Sequence, residues 1–381
     1  MKNTFIYILF FSFFLVACHS SEEKIQDLNI ETEFEETTAI DFYLGADLSY
    51  VNEMENCNAI FKNDQKETTD PFTIFANEGA NLVRVRLWHN PTWTNYSNFK
   101  DVEKTIARAK NAKMKVLLDF HYSDDWADPN KQEIPAAWLE VVDNTAKLGD
   151  SIYNYTYKTL QNLYNKNLLP DMVQVGNETN IMILQKDDKP SAMNWSRNAY
   201  LLNKGIKAVR NISKDVDKNI EIMLHIAQPE NAIWWFKQAK ENNVVDFDWI
   251  GLSYYPKWST YNLQEASEAF KTLIKTYNKK LMVVETAYPF TIENADAAGN
   301  ILGADALIDG YKATQEGQLK YLLDLKKALK NAGAKGLVYW EPAWVANNCS
   351  TRWGKGSHWD NATLFDANSV PTKGMNFYNQ P

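Results

Sequence analysis

At 381 residues the chain is long for an ordinary domain but within the span of a single α/β barrel. Its formal net charge of −8 argues against a polyanionic partner such as nucleic acid, whose phosphates demand clustered Lys and Arg. Aromatic residues make up 13% of the chain, with 13 Trp and 19 Tyr, and several Trp stand beside polar residues instead of inside apolar runs. Exposed rings of that kind suit a ligand with apolar C–H faces, such as a sugar.

The chain opens MKNTFIYILFFSFFLVACHSSEE, one lysine followed by an apolar stretch from Phe5 to Ala17 that is too short to favour a membrane span. It reads as an export signal. Leu15-Val16-Ala17-Cys18 resembles the lipobox of bacterial lipoproteins, in which the signal is cleaved before a cysteine that then carries lipid. The alternative is an ordinary secretory signal with a chance cysteine. On the lipobox reading, residues 1–17 are signal peptide, 18–40 an acidic tether and 41–381 one catalytic domain attached to the outer membrane or cell surface through Cys18. Cys57 and Cys349 then remain in an oxidising compartment, and spacing alone does not decide whether they pair.

Eight short apolar runs follow: Phe42 to Ser49, Asn81 to Trp88, Met114 to Tyr122, Met172 to Glu178, Ile220 to Ala227, Trp249 to Pro256, Leu281 to Pro289 and Gly336 to Trp344. Segments with helical features separate them. DVEKTIARAKNAK has Val102, Ile106 and Ala109 at helical spacing, and EGQLKYLLDLKKALKNAG repeats that plan and stops at a glycine. Such alternation predicts a parallel sheet with crossover helices, and eight units predict a (β/α)8 TIM barrel. No Gly-x-Gly-x-x-Gly follows the first strand to favour a dinucleotide fold.

In such a barrel the C-terminal strand ends converge on one face. The residues gathered there would be Asp47, Arg84, Arg86, Trp88, Asp119, His121, Asn177, Glu178, His225, Tyr254, Tyr255, Glu285, Trp340, Glu341 and Trp344. Glu178 alone reads as a helix-capping carboxylate; with Glu285 it forms a pair. Two carboxylates across a barrel mouth suit glycosidic bond cleavage, one protonating the leaving oxygen and the other attacking the anomeric carbon or activating water. Arg84 or Arg86 would favour the ionised form of Glu285, and Tyr254 could donate a hydrogen bond to it. Asn177 is placed to bind a sugar hydroxyl, and His121 to bind sugar or a carboxylate. Glu341, between Trp340 and Pro342, reads as a cleft wall. No His-x-x-x-His spacing occurs among the five histidines, which argues against a catalytic zinc.

Seven stretches taken together, GADLSYV, GANLVRVRLWHNP, LLDFHYSDDWADP, VQVGNETN, GLSYYPKW, VVETAYP and VYWEPAW, resemble glycoside hydrolase family 53, the endo-β-1,4-galactanases of clan A. The resemblance runs from about Tyr43 to Pro371. It implies a (β/α)8 barrel that hydrolyses internal β-1,4-galactosidic linkages of pectic galactan with retention, Glu178 serving as acid/base and Glu285 as nucleophile. Asp47, Arg86, Trp88, His121, Asp124, Trp126, Asn177, Tyr254, Trp340 and Trp344 are candidate sugar contacts, and the Trp234-Trp235 pair a further one. Bacterial members often hold a structural calcium in a strand-seven loop of pattern Asp-x-Asp-x-His-x-Asn with a later Ser-x-x-Asp. The matching residues are Asn294, Asp296 and Asn300, then Ser357 and Asp360, with Ala298 where the family has histidine. A calcium site lacking one ligand is therefore expected, with no organic cofactor and a monomeric chain.

Two alternatives stay open at the level of sequence. One is a clan A hydrolase for another β-linked glycan, such as mannan, xylan or cellulose; the other is a surface glycan-binding lipoprotein without catalysis.

Overall fold

The structure, a computed structural model, describes residue 1 and residues 40–185 and 193–380. Apart from their end residues, the segments read as signal peptide and tether, with Cys18, lie outside the described residues. Eight parallel strands close into a barrel in chain order: β1 Tyr43–Asp47, β2 Leu82–Leu87, β3 Lys115–Phe120, β4 Met172–Val175, β5 Glu221–Ala227, β6 Trp249–Ser253, β7 Lys280–Glu285 and β8 Gly336–Tyr339. Helices α1 Val51–Asn56, α2 Pro71–Glu78, α3 Phe99–Asn111, α4 Thr145–Asn165, α5 Trp195–Asp215, α6 Pro229–Glu241, α7 Leu263–Tyr277 and α8 Gln315–Ala332 lie between or after them. The expected barrel is present, with each apolar run supplying a strand.

The helices form where the sequence offers an apolar stripe and a stop. α3 buries Val102, Ile106 and Ala109 under an Asn98 cap, and each buried aliphatic of Val or Ile size contributes about 1.5–3 kcal/mol. α7 starts on an Asn262/Glu265 capping box, and α8 ends on Gly333 in the left-handed conformation.

Inside the barrel the side chains change character with height. Leu82, Leu117, Met172, Met223, Trp249, Met282, Val284 and Val338 form a closed apolar plug. Two residues further along the strands, where alternation again points the side chain inward, stand Arg84, Asp119, Gln174 and His225. The plug excludes water from below, and the polar layer above it forms the floor of the barrel mouth. Above that floor a disulfide between Cys57, at the end of α1, and Cys349, in the segment after β8, ties two rim segments together with a Cα–Cα distance of 5.6 Å.

Candidate active site

Asn177 and Glu178 owe their position to a sharp turn at the end of β4. Gly176 has φ +83°, and a Cβ there would meet the Thr179 Cγ2 at 2.7 Å, so only glycine fits. Glu178 itself holds φ 45°, uncommon for a non-glycine residue and characteristic of functional sites. On the other side of the mouth, β7 carries an irregularity: Leu252 pairs with Val283, but Ser253 pairs with Glu285, leaving Val284 as an extra residue. Without that bulge Glu285 would share the outward parity of Val283; with it, the carboxylate turns into the barrel. One oxygen of Glu178 and one of Glu285 lie within 4.8 Å of each other, with a ring nitrogen of His225 inside the same radius. Both nitrogens of that ring are engaged by protein, Nδ1 with Asn177 at 2.9 Å and Nε2 with Ser253 at 2.9 Å.

The two carboxylates have different surroundings. The buried guanidinium of Arg84 reaches Glu285 at 2.9 Å, Asp47 at 2.8 Å, Asp119 at 2.8 Å and the Asn177 side-chain oxygen at 2.8 Å. Tyr255 donates its hydroxyl to the other oxygen of Glu285 at 3.2 Å. Burial pushes the Glu285 carboxyl up to about 7, against the pull of Arg84. Glu178 is raised well above the ordinary range, first by burial and then by the charge of Glu285, with Ser253 and the more distant Arg84 pulling the other way. Glu178 thus keeps its proton more firmly, while the direct contacts of Arg84 and Tyr255 favour the ionised form of Glu285. The pair titrates as a unit, and this ordering is what the geometry imposes.

Several expectations need correction. Tyr254 does not reach Glu285: its side chain points outward to Phe270 of α7, and its hydroxyl donates to the Tyr261 carbonyl at 3.1 Å. Alternation from the inward-facing Trp249 selects Tyr255 instead, the residue the structure brings to the carboxylate. Arg86 is also displaced from the role of sugar contact. It is 2% exposed, ion-paired with Glu341, and covered by Tyr50, Trp88 and Trp126 with ring centroids at 4.4, 5.0 and 4.3 Å. Asp47 is fully buried against Arg84 and Ser49, so it acts on Arg84 and offers no surface to a ligand. Asp124 clamps a loop, accepting from the main chain of Asn90 and Ala136 and contacting His89. His121 is buried, bridging Asp119 at 3.1 Å and the Trp88 indole N–H at 3.3 Å. Asn177 turns its oxygen to Arg84 and donates its amide to the Ala127 carbonyl. Trp235 is buried and donates to the Thr179 carbonyl, whereas Trp234 is exposed and packs on Trp195.

The remaining aromatics form a row. Trp353 contacts Trp93 (centroids 5.0 Å), Trp93 contacts Trp88 (5.0 Å), Trp88 contacts Trp126 (5.3 Å) and Trp126 contacts Trp340 (6.0 Å). From Trp340 the row passes through Trp359 (4.7 Å) and Tyr255 (6.2 Å) to Trp258 (5.0 Å), while Trp344 stacks on Tyr50 at 4.0 Å. Its two ends, Trp353 and Trp258, are 42% and 47% exposed, Trp88, Trp359 and Tyr255 between them are buried, and Tyr255, next to the Trp258 end, touches Glu285. Ser253, Gln174, Trp93 and Trp353 are not selected by the sequence reading, whereas Arg84 and Asp119 stand among its strand-end residues, and Arg84 takes the role expected of it beside Glu285.

The five expected calcium residues do gather. Asp360 accepts from the main chain of Ala295 and Asp296, and the Asn300 amide nitrogen reaches both Asn294 at 2.8 Å and Asp360 at 2.7 Å. Asp296 accepts from the main-chain N–H groups of Ala298, Asn347 and Ser357, while the Ser357 hydroxyl is committed to the Trp344 carbonyl. Burial and the neighbouring Asp296 push the Asp360 carboxyl up, and no ion pair to either aspartate is found among the described residues. Two acids with amide oxygens beside them and no cationic side chain fit a hard divalent cation, with Asn300 turning its oxygen inward to take part.

An eightfold barrel whose mouth holds two facing glutamates beneath a row of aromatic rings defines a glycoside hydrolase of the two-carboxylate class. Comparison with known proteins narrows the class. The profile of Glycosyl hydrolase family 53 matches residues 43–378, and the chain belongs to that family. It is 59% identical over 328 residues to an arabinogalactan endo-beta-1,4-galactanase of Cellvibrio japonicus, covering 86% of this chain and 87% of that one. It is 34% identical to an endo-beta-1,4-galactanase of Bacillus subtilis, covering 94% and 90%. Among solved structures, the family 53 catalytic domain of Ignisphaera aggregans superposes with a TM-score of 0.81 at 31% identity, covering 90% of this chain and 97% of that one.

Proposed function

We propose that this protein is an arabinogalactan endo-β-1,4-galactanase that cuts internal β-1,4-galactosidic linkages with retention of configuration. The observation that carries the chemistry is the carboxylate pair, an oxygen of each within 4.8 Å, with Arg84 and Tyr255 bound to one member only. That closeness accords with the roughly 5–5.5 Å carboxylate separation of retaining enzymes rather than the about 6.5–9.5 Å of inverting ones. Substrate identity and internal cleavage are both supported by the two relatives, each an endo-beta-1,4-galactanase.

The steps follow from the surroundings. Ionised Glu285, held by Arg84 and Tyr255, attacks the anomeric carbon while Glu178 gives its proton to the glycosidic oxygen, so the C–O bond breaks and a galactosyl ester forms on Glu285. Glu178, now a carboxylate, takes a proton from water, whose oxygen attacks the anomeric carbon from the face the leaving oxygen vacated and displaces Glu285 on the opposite face. Trp126 and Trp340, both half-buried, supply ring surface to the sugars, with the buried Trp344 stacked on Tyr50 behind them. Asn177, bonded to Arg84 and to the Ala127 carbonyl, fixes the turn that carries the acid.

The reading extends to export by the N-terminal segment with lipid on Cys18, to action as a monomer and to a structural Ca²⁺ held by Asp296, Asp360, Asn294 and Asn300, with Ser357 supporting the loop. When bound, the ion would neutralise the aspartate pair and stiffen the strand-seven loop. The test of function is incubation of the protein lacking residues 1–18 with linear β-1,4-galactan, xylan and mannan, alongside Glu178→Gln and Glu285→Gln. Rapid shortening of galactan alone, abolished in both variants, supports the reading; cleavage of xylan or mannan in preference, or binding without cleavage, overturns it.

A further inference from the structure

The acid/base is not held by a charged partner. Its Oε1 lies 2.6 Å from the hydroxyl of Ser253, and that hydroxyl lies 2.9 Å from Nε2 of His225 on its other side. Ser253 and His225 are fully buried. Their positions follow from the barrel: Ser253 is the third inward residue of β6 after Trp249 and Gly251, and His225 stands on β5 with its Cα paired to that of Gly251. Gly251 has no side chain, and a Cβ there would meet the Met223 sulfur at 2.7 Å. The layer is thereby left open for the His225 ring to reach across to Ser253.

A hydroxyl is the simplest uncharged group that both donates and accepts. A carboxyl that alternates between acid and carboxylate within one turnover needs such a partner. A fixed donor such as Lys would favour the ionised form throughout, and a fixed acceptor would favour the protonated one. His225 extends the same property, because a neutral imidazole presents either a donor or an acceptor at Nε2 according to tautomer. Burial among Arg84 and His121 keeps the ring neutral. The Asn177 side-chain oxygen and the Gln174 amide, at 2.9 and 3.1 Å from Nδ1, serve the two tautomers from the far side.

We propose that Ser253, backed by His225, is the positioning residue of the acid/base, its hydroxyl holding Oε1 of Glu178 in both protonation states so that the carboxyl turns over without moving. This rests on the assignment of Glu178 as acid/base made above. It predicts a loss confined to steps that need proton transfer by Glu178.

The test compares kcat/KM of Ser253→Ala and His225→Phe on linear galactan and on a dinitrophenyl β-galactobioside, whose leaving group needs no proton, with Glu178→Gln as reference and thermal melting to check folding. Removing a hydrogen bond to a carboxylate costs about 10- to 100-fold. Ser253→Ala should lose that much on galactan and stay within about threefold of wild type on the activated substrate, with the alkaline limb of its pH profile displaced upward because a donor to the ionised form is gone. His225→Phe should lose in the same selective way. Equal losses on both substrates with an unmoved pH profile would mean that the residues merely pack, and wild-type activity of Ser253→Ala on galactan would likewise overturn the proposal. If Glu178→Gln itself cleaved galactan at the wild-type rate, the assignment of the acid/base would fall first; if it is silent while Ser253→Ala is not, only the relay falls.

Discussion

Arg84→Met tests the electrostatics of the site most severely. The guanidinium is bonded to Glu285 at 2.9 Å and is 1% exposed, so solvent screens the pair little. With charge centres about 4 Å apart and an effective dielectric of about 20, the interaction is about 4 kcal/mol, equivalent to about three pH units on Glu285. Arg84 opposes the burial that already lifts Glu285 to about 7, so its removal leaves the nucleophile protonated at neutral pH. The expected result is a fall in kcat/KM on galactan of about 10³-fold at pH 7, with the acid limb moved toward alkaline pH. Asp47 and Asp119 also lose their partner, and breaking a buried pair costs about 3–5 kcal/mol, so melting should drop by several degrees. Arg84→Lys keeps the charge and should lose less on both counts. A folded Arg84→Met variant within tenfold of wild type, with its acid limb in place, would refute the electrostatic role given to Arg84.

The other predictions are smaller in scale. kcat/KM should follow a bell in pH, falling on the acid side as Glu285 protonates and on the alkaline side as Glu178 loses its proton; with an activated aryl galactobioside, Glu178→Gln should keep the acid limb and lose the alkaline one. Tyr255→Phe deletes one hydrogen bond to Glu285 and should lower kcat/KM by about 10- to 100-fold, whereas Tyr254→Phe, whose hydroxyl serves the Tyr261 carbonyl, should stay near wild type in the same assay. EDTA should lower the melting temperature and added Ca²⁺ restore it, with Asp296→Asn abolishing the response; a melting curve indifferent to chelator would remove calcium from the account.

The barrel was legible because its signal is repeated: eight apolar runs, each followed by a periodic helix, admit few folds. The carboxylate pair was legible because both glutamates end such runs. What the sequence hid depended on register. Arg84 and Arg86 have the same inward parity, and only the closed barrel shows that the lower one meets Glu285 while the upper one is covered by Tyr50, Trp88 and Trp126. Glu285 turns inward only through the extra residue on β7, which no local pattern announces. Tyr255 already stands among the strand-end residues, and the period-two rule counted from Trp249 places both it and Ser253 on the inward face. The Cys57–Cys349 bond joins residues 292 apart in the chain, and spacing carries nothing about it.

The measurement that bears most directly on the central claim is proton NMR of fresh digests of linear β-1,4-galactan, recorded before mutarotation sets in. A galactanase working through Glu178 and Glu285 with an oxygen of each within 4.8 Å should release new reducing ends first as the β anomer, which then relaxes to the equilibrium mixture. First appearance of the α anomer would contradict the double displacement, and no new reducing ends at all would contradict the assigned substrate.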